Sequence, residues 1–311
     1  MIFLNILLLL VGFVLLIKGA DFFVDGSSSI AKLLKIPSVV IGLTIVAMGT
    51  SAPEAAVSIS AGIQGSNEIA ISNVVGSNIF NMLVVVGACA LIKPFTLDKT
   101  ILKRDFPVNI IACALMFALA FIGSALGVID GIVMLVLMIA YITWLVIAAM
   151  KNREESSEEI KTLSPVVSVI FIIGGIAAII FGGNLVVENA KAIASAMGLS
   201  ETFIGLTIVA VGTSLPELVT SIVASKKGEN GLALGNVVGS NIFNLLFILG
   251  ISSSITPIAV DSVAIFNIVL LLIMTVVMYI LCVCTKKLGR ISGAVMVLSY
   301  VAYTVYLIIQ G

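Results

Sequence analysis

Long apolar runs alternate with short polar punctuation along almost the whole chain. A membrane-spanning helix needs about 20 mostly apolar residues. Ten such segments can be marked, roughly 2–30, 37–63, 67–92, 104–123, 127–150, 165–195, 200–225, 230–255, 262–284 and 291–309. Five precede the polar stretch 151–164 (KNREESSEEIKTLS) and five follow it. The pattern predicts an all-α integral membrane protein of ten transmembrane helices. It has a first five-helix half at 1–150, a solvated linker at 151–164 and a second half at 165–311. The N-terminal run MIFLNILLLLVGFVLLIKG has the length of a signal peptide but no positive leading region. Its counterpart 163 residues on is internal, so both read as first helices of their halves.

The halves repeat one another. Residues 41–81 align with residues 204–244 at a constant offset of 163 without a gap, and 27 of the 41 positions are identical. Because each half holds an odd number of helices, the second must enter the membrane from the opposite side, which predicts inverted repeats. Basic residues agree. On this ten-helix model 14 of the 16 Lys and Arg fall on one side, the exceptions being Lys18 and Lys191. By the positive-inside rule the termini are outside and the 151–164 linker is cytoplasmic. These features place the chain in the cell membrane.

Composition narrows the function. Only 10% of residues are charged, against about 25% in soluble domains. The net charge is zero and there is no basic block, which argues against nucleic acid as a partner. Nothing in the sequence asks for an obligatory protein partner; the bilayer is the surroundings it implies. The absence of histidine removes the imidazole proton relay and most transition-metal sites. It also leaves no HExxH for an intramembrane enzyme. The four cysteines, Cys89, Cys113, Cys282 and Cys284, lie in apolar runs and read as packing residues.

Two polar motifs break the apolar pattern, and each occurs twice. The first is Gly49-Thr50-Ser51-Ala52-Pro53-Glu54, with its mate Gly212-Thr213-Ser214-Leu215-Pro216-Glu217. Each sits midway along an expected span. Proline removes a donor and clashes with the preceding turn, so the helix should kink or unwind there. The expectation is that the carbonyls of Ala47 and Ala210 lose their intrahelical partners. Broken backbone at membrane depth is tolerated only inside protein or facing a cavity. An ionised Glu at the bilayer centre costs about 2.5–3.5 kcal/mol on insertion scales, so Glu54 and Glu217 call for a compensating cation. The second motif is the stripe Asn73, Ser77, Asn81, with its mate Asn236, Ser240, Asn244; the spacing of four puts each set on one helix face. Single polar residues of this kind can simply join helices by hydrogen bonds. A proline-broken acidic segment found twice, beside a doubled Gly-Ser-Asn stripe, points instead to an oxygen-rich site for Ca²⁺ or Na⁺. Asp21, Asp25, Glu188 and Asp130 read as helix-end or solvated acids. Glu154, Glu155, Glu158 and Glu159 lack the spacing of a calcium-binding loop and read as solubilising charge.

On these motifs the chain resembles the cation/Ca²⁺ antiporter superfamily, and within it the prokaryotic sodium/calcium exchangers. The resemblance covers essentially the whole chain. It implies ten helices with breaks in helices 2/3 and 7/8, and a cluster of cation positions at mid-membrane. It implies that Glu54 and Glu217 are shared Ca²⁺/Na⁺ carboxylates. Thr50, Ser51, Thr213 and Ser214 would then supply hydroxyl or carbonyl oxygens, and Ala47 and Ala210 carbonyls. Ser77, Ser240, Asn81 and Asn244 would complete the Na⁺ sites. It further implies electrogenic exchange, about three Na⁺ for one Ca²⁺, with these ions as cargo and no resident cofactor. Potassium-dependent relatives carry Asp where Asn244 stands, and proton-coupled ones show GNxxE in place of GTSxPE. The alternatives from the residues alone are a proton/Ca²⁺ antiporter and a cation channel.

Overall fold

The computed structural model describes residues 2–65, 67–97, 99–123, 125–151, 162–198 and 210–310. Among them, eight helices are long and apolar enough to cross a membrane: Ile2–Leu34, Ile69–Ile92, Ile101–Gly123, Val128–Lys151, Pro165–Ala196, Asn230–Ile255, Ser262–Thr285 and Arg290–Leu307. A ninth is the pair Ser38–Thr50 and Ala52–Ile63, bent by 50° at Ser51. The expected span 200–225 lies partly outside the described residues. Its described part is Ala210–Thr213 and Leu215–Lys227, separated at Ser214. The centre of the expected linker, 152–161, also lies outside them.

Two helices form the centre. In their most apolar stretches 72% of residues are buried in Ile69–Ile92 and 94% in Asn230–Ile255, against 11–33% in the other six. The outer helices keep large apolar side chains such as Phe3, Ile122, Ile129 and Ile291 on the surface, as a lipid-facing belt requires. The two central helices depart from expectation. Neither is broken. Neither contains proline, and each instead carries one π-helical turn, Asn81–Val85 and Asn244–Ile248, before the α-helix resumes. A π turn shifts the hydrogen-bond register without severing the helix, and such turns are frequent at functional sites.

Features recur at the repeat offset. The π turns are 163 residues apart, as are the short strands β1 (Phe95–Thr96) and β3 (Ile258–Ala259). β1 pairs with β4 (Lys287–Leu288), and β2 (Ala125–Leu126) pairs with β3, both antiparallel. Exchanging the halves converts one two-stranded sheet into the other. These sheets were not foreseen from the sequence, because two-residue strands leave no period to read.

The long helices Ile2–Leu34 and Pro165–Ala196 lie antiparallel against each other on a seam of glycines. A Cβ at Gly12 would stand 2.9 Å from the Gly182 carbonyl oxygen, and one at Gly182 2.8 Å from that of Gly12; Gly19 and Gly175 meet in the same way. Small residues let membrane helices approach until backbones touch. A second seam joins Gly42 and Gly235, where a Cβ on either would come within 2.6 Å of a carbonyl oxygen across the contact. This seam brings the helix Asn230–Phe243 onto the segment that leads into the bend at Ser51. Tight left-handed turns at Gly65 (φ 74°) and Gly228 (φ 86°), again 163 apart, follow the two proline-containing helices. Glycine takes that conformation without steric cost.

Candidate ion-binding site

The proline motifs open short helices. Pro53 and Pro216 stand in the first turns of Ala52–Ile63 and Leu215–Lys227, where a missing N–H is tolerated. Glu54 and Glu217 lie in those same first turns, both fully buried. A helix N-terminus favours negative charge, so each break supplies a local field for its own carboxylate.

One sequence expectation is corrected. The Ala47 carbonyl is not freed by the break: it accepts the Ser51 N–H at 3.0 Å and the Thr50 hydroxyl at 3.3 Å. The helix bond runs from residue i to i−4, so the donor that Pro53 lacks is the one Gly49 would have received. Ala47 nonetheless lies where the repeats meet, since the Ser240 hydroxyl reaches its oxygen at 3.5 Å. Ala210 opens the helix Ala210–Thr213.

The two carboxylates are held crosswise. Ser51 donates to Glu217 Oε1 at 2.8 Å, and Ser214 donates to Glu54 Oε1 at 3.0 Å. Each glutamate is thus tied to the serine of the opposite motif. Within its own repeat each is approached by the stripe: Ser77 at 3.5 Å from Glu54 Oε1 and Ser240 at 3.5 Å from Glu217 Oε1. Thr50 donates across the molecule to Asn236 Oδ1 at 3.0 Å.

The first asparagines of the two stripes, and Asn78 and Asn241 beside them, brace these groups. The Asn73 amide donates to the Glu54 backbone oxygen (3.2 Å) and to Ser58 (2.9 Å). Its mate Asn236 donates to the Glu217 backbone oxygen (3.5 Å) and to Ser221 (2.9 Å). Asn78 and Asn241 exchange side-chain-to-backbone bonds at 3.2 and 3.3 Å. The signal for all of them was present, since each position is polar in both copies of an otherwise apolar segment.

What remains unpaired decides the chemistry. Glu54 Oε2, Glu217 Oε2, Asn81 Oδ1, Asn244 Oδ1 and Thr213 Oγ1 are buried without a hydrogen-bond partner. Among the described residues no Lys or Arg forms an ion pair with either glutamate. A buried charge without a counter-charge is costly. Two carboxylate oxygens, two amide oxygens and a hydroxyl are thus buried without a hydrogen-bond donor; all are hard ligand types, with no sulfur or imidazole among them.

Several other acids have partners of their own. Lys227 binds Asp25 at 2.7 Å and Asp21 at 3.4 Å, and Lys32 lies 3.5 Å from Glu229. Asp130 accepts the Gly127 N–H at 2.8 Å, the helix-end role its position suggested. Cys89, Cys113 and Cys282 are buried and unbridged, and Cys284 is exposed.

Comparison with known proteins identifies the family. Residues 4–147 and 167–309 match the family model described as sodium/calcium exchanger protein. The chain belongs to the sodium/calcium exchanger family. It is thus a transporter of the cation/Ca²⁺ exchanger type, not an enzyme, and a multi-pass membrane protein. It is 35% identical to the sodium/calcium exchanger MaX1 of Methanosarcina acetivorans, across 99% of each chain. It is 36% identical to the inner membrane protein YrbG of Escherichia coli, across 83% of this chain and 82% of that one. Its fold is similar to that of the sodium-calcium exchanger NCX_Mj soaked with zero Na⁺ and Ca²⁺, with a TM-score of 0.87 at 34% identity over 99% of this chain and 100% of that one.

Proposed function

We propose that this exchanger is a Na⁺/Ca²⁺ antiporter working by alternating access. Its ten helices form two inverted repeats, and Ca²⁺ and Na⁺ occupy overlapping positions between them. The observation that carries the reading is the set of buried, unpartnered oxygens on Glu54, Glu217, Asn81, Asn244 and Thr213. Glu54 and Glu217 together neutralise one Ca²⁺. Thr50, Ser51, Thr213 and Ser214 line the same place, and Ser77, Ser240, Asn81 and Asn244 serve the Na⁺ positions. With two formal negative charges, the site balances a single divalent ion or two monovalent ones; a third Na⁺ would leave with net positive charge. Moving one net charge is worth about 2.3 kcal/mol per 100 mV.

The inverted relation is supported by the crossed sheet pairing and by the reciprocal glycine seam. The 14-to-2 split of basic residues supports outside termini and a cytoplasmic linker. In this reading the two long helices move as one body against the remaining helices, because their backbones are in contact with each other along the glycine seam.

Coupling is tested in proteoliposomes holding both a Na⁺ and a pH gradient. Collapsing the Na⁺ gradient alone should stop Ca²⁺ movement. Transport that persists until the pH gradient is collapsed would assign the chain to proton coupling.

A further inference from the structure

We infer that Asn78 and Asn241 are positioning residues that set which face of the Asn244 and Asn81 amides meets the ions. The inference rests on the site reading above and extends it to residues that touch no ion.

A backbone carbonyl can only accept. Asn78 donates its Nδ2 to the backbone oxygen of Asn241 at 3.2 Å. Its Oδ1 is therefore an acceptor facing elsewhere, and Asn244 meets it with Nδ2 at 3.0 Å. An amide that spends its nitrogen in this way must turn its oxygen to the opposite side. The same sequence runs through the mates. Asn241 donates to the backbone oxygen of Asn78 at 3.3 Å, and Asn81 donates Nδ2 to Asn241 Oδ1 at 3.2 Å.

Turning Asn78 over would oppose its oxygen to the Asn241 carbonyl and its nitrogen to the Asn244 nitrogen. Both hydrogen bonds would be lost at once, within a cluster whose four side chains are all fully buried. One orientation is thus selected for each amide. In that orientation Asn81 Oδ1 and Asn244 Oδ1 are the atoms left unpartnered. They lie one helical turn beyond Ser77 and Ser240, whose hydroxyls approach the glutamates. A cation at the glutamates accordingly meets amide oxygen and not amide N–H. Each repeat orients the ligand of the other, so the cluster also ties the two halves together at the site.

The test compares the internal Na⁺ needed for half-maximal Ca²⁺ uptake in two backgrounds. A carboxylate presents oxygen on both faces and needs no orienting partner, so Asn244→Asp is the background in which Asn78 should cease to matter. Asn78→Ala in the native chain should raise the half-maximal Na⁺ on the order of tenfold, the effect of one lost buried hydrogen bond and a freed amide. The same change on top of Asn244→Asp should alter it by less than about twofold. An equal loss in both backgrounds, or no loss in the native chain, would overturn the inference. Asn244→Ala reports on the underlying site reading, which fails if that variant keeps native Na⁺ dependence; the role of Asn78 falls with it. Should Asn78→Ala not yield a monodisperse protein, Asn241→Ala with and without Asn81→Asp runs the same cycle through the other repeat.

Discussion

Ser51 and Ser214 each reach across to the glutamate of the other motif, so neither carboxylate is placed by its own repeat alone. A hydrogen bond to a charged group contributes about 1.5–3 kcal/mol. Ser51→Ala and Ser214→Ala should each weaken apparent Ca²⁺ affinity by tenfold or more, read from the Ca²⁺ dependence of uptake; native affinity in both would remove the serines from the site. Protons and cations compete for the same carboxylate oxygens. Uptake should therefore fall between pH 8 and pH 5 and be partly restored by raising Ca²⁺, whereas a rate flat across that range would contradict carboxylate ligation. The serines were legible in the sequence because they are doubled, polar and next to a doubled proline. The asparagine positions were legible for the same reason, but not their orientation. Asn78 and Asn241 share their motif with Asn81 and Asn244, and nothing in the spacing says which amide faces the ion and which faces the partner helix.

At the scale of elements, the glycine seam between Ile2–Leu34 and Pro165–Ala196 is the most constrained contact. Gly19→Leu or Gly182→Leu would drive a side chain into backbone that lies within 2.9 Å of its first carbon. The expected outcome is a destabilisation on the order of 1–3 kcal/mol, the usual range for overpacking. It is measured as a lower thermal midpoint in detergent; an unchanged midpoint would show that the seam is not tight. Helix placement could be read closely from hydropathy, as with 165–195 against Pro165–Ala196 and 230–255 against Asn230–Ile255. The proline break could be read as well, though not the carbonyl it frees. The π turns at Asn81 and Asn244 had no such signal, because a π turn is a response to tertiary packing and uses ordinary helical residues.

For the whole molecule, alternating access as proposed requires the long helix pair to move relative to the helices that carry the glutamates. The ion pair of Lys227 with Asp25 and Asp21 spans that boundary. At the repeat offset the equivalent positions are Gln64, Glu188 and Asn184, so the sequence places no lysine at the mate of Lys227. With Cys284 replaced by Ser, Asp25→Cys and Lys227→Cys joined through two disulfides by a bis-methanethiosulfonate should halt exchange, and reduction of those disulfides should restore it. Full exchange in the joined form would mean that the boundary does not move. Na⁺-coupled Ca²⁺ antiport through the paired glutamates is read from ⁴⁵Ca²⁺ uptake into proteoliposomes loaded with Na⁺ and diluted into Na⁺-free buffer, with choline-loaded vesicles as the control. Uptake is expected only with internal Na⁺, with a loss of at least about 100-fold in Glu54→Gln and in Glu217→Gln. Equal uptake from choline-loaded vesicles, or near-native uptake in both glutamine variants, would contradict it.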